Sequence, residues 1–243
     1  MRRPTTSSLT VLALTCAGLA LATPARADGP EKLEVPGQAP AYFVAPTGKG
    51  KKPVVVWVHA RSGNPQADCA KWGKLVREHA WLLCPSGPED RGSGARGWNN
   101  SWIAGKTAVD AAFGAFRKEQ GTKLAAKGHA LIGFSEGAFV AMNVGVREPE
   151  TFSRWLILAA SDVYWGADGF SEMRKNKDKL SRVYLLTGEK DGVVDATRKV
   201  FDAMDAEKVK VRLWTPDDIG HEVPGDRMRV FYRKPLRWLF GLK

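Results

Sequence analysis

The chain has 243 residues, with 37 Lys and Arg against 26 Asp and Glu and a formal net charge of +11. This length allows one sizeable core and is short for two domains. The basic residues are mixed with acidic ones, and no block of Lys and Arg interleaved with aromatic residues suggests a nucleic-acid groove. We therefore expect one domain and no nucleic-acid partner.

The first 27 residues have the pattern of a secretory signal peptide. Arg2 and Arg3 precede a mostly apolar run from Leu9 to Ala22, and residues 25–27 form an A-x-A cleavage site. The run has about 14 residues, whereas a membrane span needs roughly 20. This predicts export of residues 28–243 to the periplasm or out of the cell, with a formal charge of +8, since residues 1–27 hold three Arg and no acidic residue.

Cys69 and Cys84 are the two cysteines that remain after residue 27. An even number of cysteines in an exported chain favours a disulfide, which here joins a predicted helix to the strand that follows it. Two buried free thiols are the alternative.

Short apolar runs alternate with helical patterns along the chain. The predicted strands are Ala41 to Val44, Pro53 to His59, Trp81 to Cys84, His129 to Gly133, Trp155 to Ala160, Arg182 to Thr187 and Val209 to Trp214. The predicted helices are Gln66 to His79, Ala108 to Glu119, Glu136 to Val146, Ser171 to Leu180, Asp195 to Lys208 and Gly225 to Phe240.

This alternation predicts a three-layer α/β domain over residues 28–243, with a mostly parallel sheet and helices on both faces. The continuous apolar run of Pro53 to His59 is typical of a strand that is covered on both sides. Residues 85–101 are rich in Gly and Pro and are predicted to form a long loop at the carboxyl edge of the sheet. Ligands bind at that edge in open α/β sheets.

The sequence Gly133-Phe134-Ser135-Glu136-Gly137 lies between a predicted strand and a predicted helix. A G-x-S-x-G sequence in this context forms a sharp turn that raises the serine hydroxyl above the sheet, and the turn requires small flanking residues. The motif alone is weak evidence, but its position between strand and helix favours Ser135 as a nucleophile.

A serine needs a base to take its proton, and the chain has four histidines. His129 is six residues upstream in the same strand as Ser135, and His79 lies at the opposite edge of the predicted sheet. His221 follows the last strand in a loop, which makes it the predicted base. His59 ends its strand at the correct edge and is discussed below.

The base in turn needs a carboxylate to fix its tautomer. Asp191 follows the strand Arg182 to Thr187 and precedes His221 by 30 residues, so the predicted order is Ser, Asp, His. Asp162, just after the preceding strand, is the alternative. A turn aspartate beside glycine also serves as a local backbone cap.

The chain resembles the α/β-hydrolase superfamily, and its elbow Gly-Phe-Ser-Glu-Gly is similar to that of small carboxylesterases, lysophospholipases and dienelactone hydrolases. In those families a strand ending in His-Gly-X supplies one backbone N–H of the oxyanion hole, and the residue after the nucleophile supplies the other. The match here is His59-Ala60-Arg61, with Ala60 in place of the usual glycine. The resemblance implies that Arg61 and Glu136 are the backbone donors and that His59 is structural.

The predicted function is cleavage of a carboxylic ester through an acyl-enzyme, with no cofactor and no metal. The expected substrate is a small-molecule or lipid-like ester, and only about 20 residues separate the strands ending at Ala160 and starting at Arg182, which leaves no room for a large lid. Aromatic residues are expected to wall the site: Trp98, Trp102 and the segment Val163-Tyr164-Trp165. These tryptophans also fit an ordinary core.

Three alternatives remain open. The same triad serves a peptidase or amidase, and a non-catalytic binding protein of the cell envelope can keep the fold without turnover. The basic last helix permits contact with a membrane surface, although such a helix more often packs its apolar side on the sheet and leaves its charges in water. The sequence makes no prediction of the oligomeric state.

Overall fold

The computed structural model describes residues 29–242, which contain one sheet of eight strands and a separate two-stranded hairpin. The predicted signal peptide lies outside the described residues. The strands are β1 (Glu31–Leu33), β2 (Ala41–Val44), β3 (Val54–Val58), β4 (Trp81–Cys84), β5 (Glu89–Asp90), β6 (Arg96–Gly97), β7 (Ala130–Phe134), β8 (Arg154–Leu158), β9 (Arg182–Leu186) and β10 (Val211–Trp214). The α-helices are α1 (Pro65–Val76), α2 (Trp102–Gln120), α3 (Glu136–Arg147), α4 (Asp162–Asn176), α5 (Val194–Ala206) and α6 (Met228–Phe240).

The strand order in the sheet is β1-β2-β4-β3-β7-β8-β9-β10. Strand β2 runs antiparallel to both β1 and β4, and all the other neighbours are parallel. The parallel strands therefore end at one common edge, and the loops that follow β3, β7, β8 and β9 leave the sheet side by side. This edge brings distant parts of the sequence together.

The central strand β3 shows why the apolar run is continuous. Val54, Val56 and Val58 belong to the core on one face of the sheet, and Val55 and Trp57 belong to the core on the other. Successive strand residues point to opposite faces, so a strand covered on both sides needs apolar residues throughout. Helices α2 to α5 cover the first face, and α1 and α6 cover the second. The predicted three-layer architecture is confirmed.

The predicted disulfide is also present. Cys69 on α1 and Cys84 on β4 are bonded, with their Cα atoms 5.8 Å apart. Closing a loop of this length contributes about 3 kcal/mol in the chain-entropy model. The bond fixes α1 to β4, the strand that pairs with β3.

Two predicted helices start earlier than expected. Helix α4 begins at Asp162 instead of Ser171, and its first turn is separated from the rest by a break at Gly166 (φ 65°, ψ 178°). The break at Gly166 interrupts the helical period, so the sequence pattern indicated only the later part of the helix. The backbone conformation at this position is one that residues other than glycine rarely adopt. Helix α2 begins at Trp102 instead of Ala108, where the Ser101 hydroxyl accepts the Ala104 N–H at 3.2 Å.

Two short features were missed by sequence reasoning. Strand β1 has only three residues, at the edge of the sheet, and gives too short a pattern to recognise. The predicted loop over residues 85–101 contains the β5–β6 hairpin. Within residues 29–242, none of the helices has both the length and the apolar character that a membrane span requires.

Candidate active site

Ser135 lies at the turn between β7 and α3, in the backbone conformation φ 56°, ψ −120°. A non-glycine residue with positive φ is uncommon, and such strain persists only where the surroundings hold it in place. Here the Ser135 N–H donates to Leu158 O at 3.1 Å, and the Ser135 carbonyl accepts the Ala138 N–H at 2.9 Å. The turn presents the hydroxyl at the carboxyl edge of the sheet.

The two glycines of the motif are required by close packing. A side chain at Gly137 would overlap the carbonyl oxygens of Val58 and His59, because the first turn of α3 lies directly against the end of β3. A side chain at Gly133 would overlap the Gly137 carbonyl oxygen. Only glycine permits the helix to approach the strands this closely.

Three sequence-distant side chains meet at this turn. His221 Nε2 lies 2.8 Å from Ser135 Oγ, and His221 Nδ1 lies 2.8 Å from Asp191 Oδ2. Asp191 is buried in the loop after β9, and its other oxygen accepts the Val193 N–H at 3.0 Å. The Lys190 N–H donates to Ile219 O at 3.1 Å and ties that loop to the one carrying His221.

Asp162, the alternative carboxylate, lies elsewhere. It begins α4, and its Oδ2 is 3.9 Å from Lys199 Nζ, while His221 Nδ1 bonds to Asp191. The contacts of Ser135, His221 and Asp191 suit a nucleophile, a base and a carboxylate that orients the base. An imidazole whose Nδ1–H is held by a carboxylate has Nε2 free to accept a proton from a serine hydroxyl.

His59 is fully buried beside the site. Its Nε2 accepts the Gly87 N–H at 3.1 Å, and its Nδ1–H donates to the Ala60 carbonyl oxygen at 2.8 Å. Burial lowers the pKa of His59 to about 4. His59 is thus a neutral structural group that joins the end of β3 to the loop after β4.

Arg61 and Glu136 both lie at the site. Arg61 follows β3, and Glu136 is the first residue of α3, where backbone N–H groups have no acceptor within the helix. Both residues line the same cavity as Ser135 and His221. The sequence resemblance concerned only their backbone N–H groups, but their side chains also contact each other, with Arg61 Nη2 3.5 Å from Glu136 Oε1.

A cavity of about 250 Å³ opens over the serine. Its lining consists of Arg61, Asn100, Ser135, Glu136, Phe139, Ala159, Ser161, Tyr164, Val193 and His221. Tyr164 belongs to the segment that the sequence singled out. Phe139 and Asn100 were not identified, although Phe139 lies one helical turn after Ser135 and that spacing could have indicated it.

The structure places the three tryptophans outside this lining. Trp98 is fully buried, and its indole N–H donates to His59 O at 2.7 Å. Trp165 is buried on the side of α4 that faces the core. Trp102 lies beneath the Arg147 guanidinium, whose carbon is 3.9 Å from the ring centroid. Trp98 and Trp165 thus fill the core around the site, whereas Trp102 is partly exposed.

Comparison with known proteins gives a fold and no sequence family. No protein-family model and no curated protein matches the sequence significantly. Among solved structures, an uncharacterized protein from Bacillus cereus superposes with a TM-score of 0.67 at 14% identity, over 81% of this chain and 62% of that one. A ferulic acid esterase superposes with a TM-score of 0.63 at 14% identity, over 87% of this chain and 96% of that one.

Acyl-protein thioesterase 2 from Zea mays superposes with a TM-score of 0.60 at 17% identity, over 82% of this chain and 98% of that one. The chain has the α/β-hydrolase fold. In the α/β-hydrolase fold the serine elbow follows a central strand, which is where β7 carries Ser135. In enzymes of this fold the acid and the histidine follow later strands in the order Ser, Asp, His; in this chain Asp191 follows β9 and His221 follows β10.

Proposed function

We propose that this α/β-hydrolase is an exported serine hydrolase that cleaves a carboxylic ester through an acyl-enzyme on Ser135. The observation that carries the proposal is the hydrogen-bonded chain from Ser135 through His221 to Asp191, with 2.8 Å at each step. A serine at a strained turn, bonded to a histidine that is bonded to a buried carboxylate, is the arrangement that activates a hydroxyl.

The reaction follows from these contacts. Ser135 Oγ attacks the ester carbonyl carbon while His221 Nε2 takes the hydroxyl proton, and Asp191 stabilises the imidazolium that forms. The tetrahedral oxyanion is bound by the backbone N–H groups of Arg61 and Glu136. His221 then gives the proton to the leaving alcohol, and a water molecule activated by the same imidazole releases the acid from Ser135.

The cavity supports a small or aromatic ester. Its volume of about 250 Å³ is below the usual 300–1,000 Å³ range of drug-sized pockets. Phe139 and Tyr164 supply apolar surface to its lining, and Arg61 and Asn100 supply polar groups. Peptidases and amidases use the same triad, and the similar structures include a dipeptidyl peptidase, of which this chain covers 35%, beside several esterases and a thioesterase. The proposal of an ester follows the larger group.

Two further features support export. The predicted signal sequence covers residues 1–27, and the Cys69–Cys84 disulfide is of a kind that persists in oxidising compartments. We propose that residues 28–243 form the mature single-domain enzyme, which needs neither a cofactor nor a metal.

Labelling with a fluorophosphonate probe tests the proposal, because the probe reacts only with an activated serine. The purified mature protein is expected to be labelled, and Ser135→Ala is expected to abolish labelling. Ser181→Ala is the matched control, since Ser181 is an exposed serine bonded to Ser153 and is expected to leave labelling unchanged. A folded wild-type protein that resists the probe would contradict the proposal. Parallel assays with p-nitrophenyl acetate and the corresponding anilide distinguish an esterase from an amidase.

A further inference from the structure

Glu136 combines a charge with almost complete burial. Its side chain is 4% exposed, although it directly follows Ser135 at the mouth of the cavity. Burying a carboxylate is costly unless hydrogen bonds replace its water. Its position in the first turn of α3 offsets part of this cost, because the positive end of a helix dipole stabilises an acid.

The carboxylate of Glu136 accepts hydrogen bonds from a loop far away in the sequence. Oε2 accepts the Trp98 N–H at 3.1 Å, and Oε1 accepts the Asn100 N–H at 2.9 Å. The loop that donates them holds Asn99 and Asn100 at φ 55° and 48°. Such left-handed residues need fixed partners, and the Glu136 carboxylate binds the N–H of Asn100 and the N–H of Trp98 just before them.

The same carboxylate reaches the loop after β3. Arg61 Nη2 lies 3.5 Å from Glu136 Oε1 and also donates to Asn100 Oδ1. The Trp98 indole N–H adds a bond to His59 O, two residues before Arg61. Glu136 therefore joins three segments: its own helix, the loop of Arg61 and the loop of Trp98 to Asn100.

We infer that the Glu136 carboxylate is a positioning group that holds the two backbone donors of the oxyanion hole in their relative positions. One proposed donor is the N–H of Glu136 itself, and the other is the N–H of Arg61, whose side chain the Glu136 carboxylate contacts at 3.5 Å. The inference rests on the proposed function, in which these two N–H groups bind the oxyanion. A displacement of about 1 Å in such a site costs up to 10²-fold in rate. The contacts of the Glu136 carboxylate therefore affect the stability of the transition state.

Glu136→Gln tests this with the smallest possible change. Glutamine keeps the shape, but its amide NH₂ must face either the Trp98 N–H or the Asn100 N–H, and the attraction to Arg61 is lost. We expect kcat to fall roughly 10- to 100-fold with KM changed less than about 3-fold, because the hole acts on the transition state and not on the bound ester. Binding of a trifluoromethyl ketone, which forms an oxyanion with the serine, is expected to weaken by the same factor as kcat/KM.

Glu148→Gln is the matched control. Glu148 lies just after α3 and pairs with Lys106 at 2.7 Å, away from the cavity, so its loss is expected to leave kcat unchanged. Arg61→Gln removes the guanidinium and keeps the backbone N–H, and it is expected to lower kcat in the same direction by a smaller factor. If Glu136→Gln does not fold, Arg61→Gln tests the inference. A positioning role lowers kcat and the affinity for the ketone together and changes KM less than about 3-fold, whereas lost contact of the guanidinium with the ester raises KM.

The possible failures are distinguishable. A wild-type protein that neither reacts with a fluorophosphonate nor hydrolyses any ester contradicts the proposed function. An active wild type whose folded Glu136→Gln variant keeps its kcat, or loses kcat without losing affinity for the ketone, overturns the positioning role of Glu136 alone.

Discussion

The ring of Phe134 lies against the imidazole of His221, with the centroids 5.0 Å apart and the planes 35° apart. Phe134 precedes Ser135, so one turn both carries the hydroxyl and supports the base. The His221 side chain is 46% exposed, and this contact restricts an imidazole that faces solvent on its other side. The residue at the second position of the G-x-S-x-G motif, here Phe134, therefore affects the orientation of His221 as well as the turn.

Replacing Phe134 by alanine is expected to reduce kcat roughly 3- to 10-fold, since an aromatic contact of this kind contributes about 0.5–1.5 kcal/mol. Phe134→Leu, which keeps an apolar contact, is expected to lose less. Phe170→Ala removes a ring that packs on Trp165 on α4, and it serves as a control that lowers stability without lowering kcat. Equal kcat values for wild type and a folded Phe134→Ala would contradict the support of His221 by this ring.

Asp191 and Asp162 were both compatible with the sequence, and their contacts now give them different expected effects. Asp191→Asn replaces the acceptor of the His221 Nδ1–H with an amide, which favours the wrong tautomer, so kcat is expected to fall about 10³- to 10⁴-fold. Asp162→Asn alters only a carboxylate 3.9 Å from Lys199, and kcat is expected to stay within about twofold. Steady-state kinetics of the two variants on one ester checks the assignment, and a large loss in Asp162→Asn would reverse it.

The turn that carries Ser135 is the part of the site that the sequence predicts best. Gly133, Ser135 and Gly137 form a local signal, because the steric demand of the turn acts within five residues and between two recognisable elements. The order of apolar strands placed Asp191 and His221 at the same edge, since parallel strands must end together. The positions of these residues could therefore be predicted from the motif and the strand order, without knowledge of any side-chain contact.

The surroundings of the site depend on contacts that no local pattern encodes. Trp98 lies in a polar, Gly-rich loop that suggested a substrate wall, yet its indole N–H finds an acceptor at His59 O and the ring is buried. Glu136 is a charged residue that suggests a solvent-exposed side chain. Its donors come from residues 36 and 38 positions earlier, and only the folded chain brings them to it.

The buried His59 predicts a dependence of stability on pH. In the unfolded chain a histidine titrates near 6.5, whereas burial lowers the pKa of folded His59 to about 4. Between these values the unfolded chain binds a proton that the folded protein does not, so the free energy of unfolding falls as pH falls from about 6.5 to about 4. The loss is on the order of 3 kcal/mol for a shift of this size.

Denaturant unfolding across that pH range measures the effect, and His59→Gln is the comparison. Glutamine can still accept the Gly87 N–H but does not titrate, so the variant is expected to show a shallower decline between pH 6.5 and 4 than the wild type. Carboxylates titrate in both proteins and cancel in the difference. NMR of the His59 imidazole gives a direct check, and titration of this ring near pH 6.5 in the folded protein would contradict the neutral structural role.

Tyr164 is expected to set how the acyl group is held. It lines the cavity, is 64% exposed and has its ring centroid 6.1 Å from that of Phe139, which also lines the cavity. In a series of p-nitrophenyl esters, the cavity of about 250 Å³ is expected to favour acetate and butyrate over octanoate in kcat/KM. Tyr164→Ala removes one wall, so KM for the short esters is expected to rise about 3- to 10-fold with kcat little changed, since an aromatic contact with the bound ester contributes about 1 kcal/mol.

Val163→Ala is the matched control for this wall. Val163 precedes Tyr164 in the same first turn of α4 and is 75% exposed, but it does not belong to the cavity lining, so its truncation is expected to leave KM within about twofold. The contrast between the two neighbours separates contact with the substrate from a general disturbance of the turn before Gly166. If both truncations change the ester preference equally, the turn as a whole, and not the Tyr164 ring, governs access to Ser135.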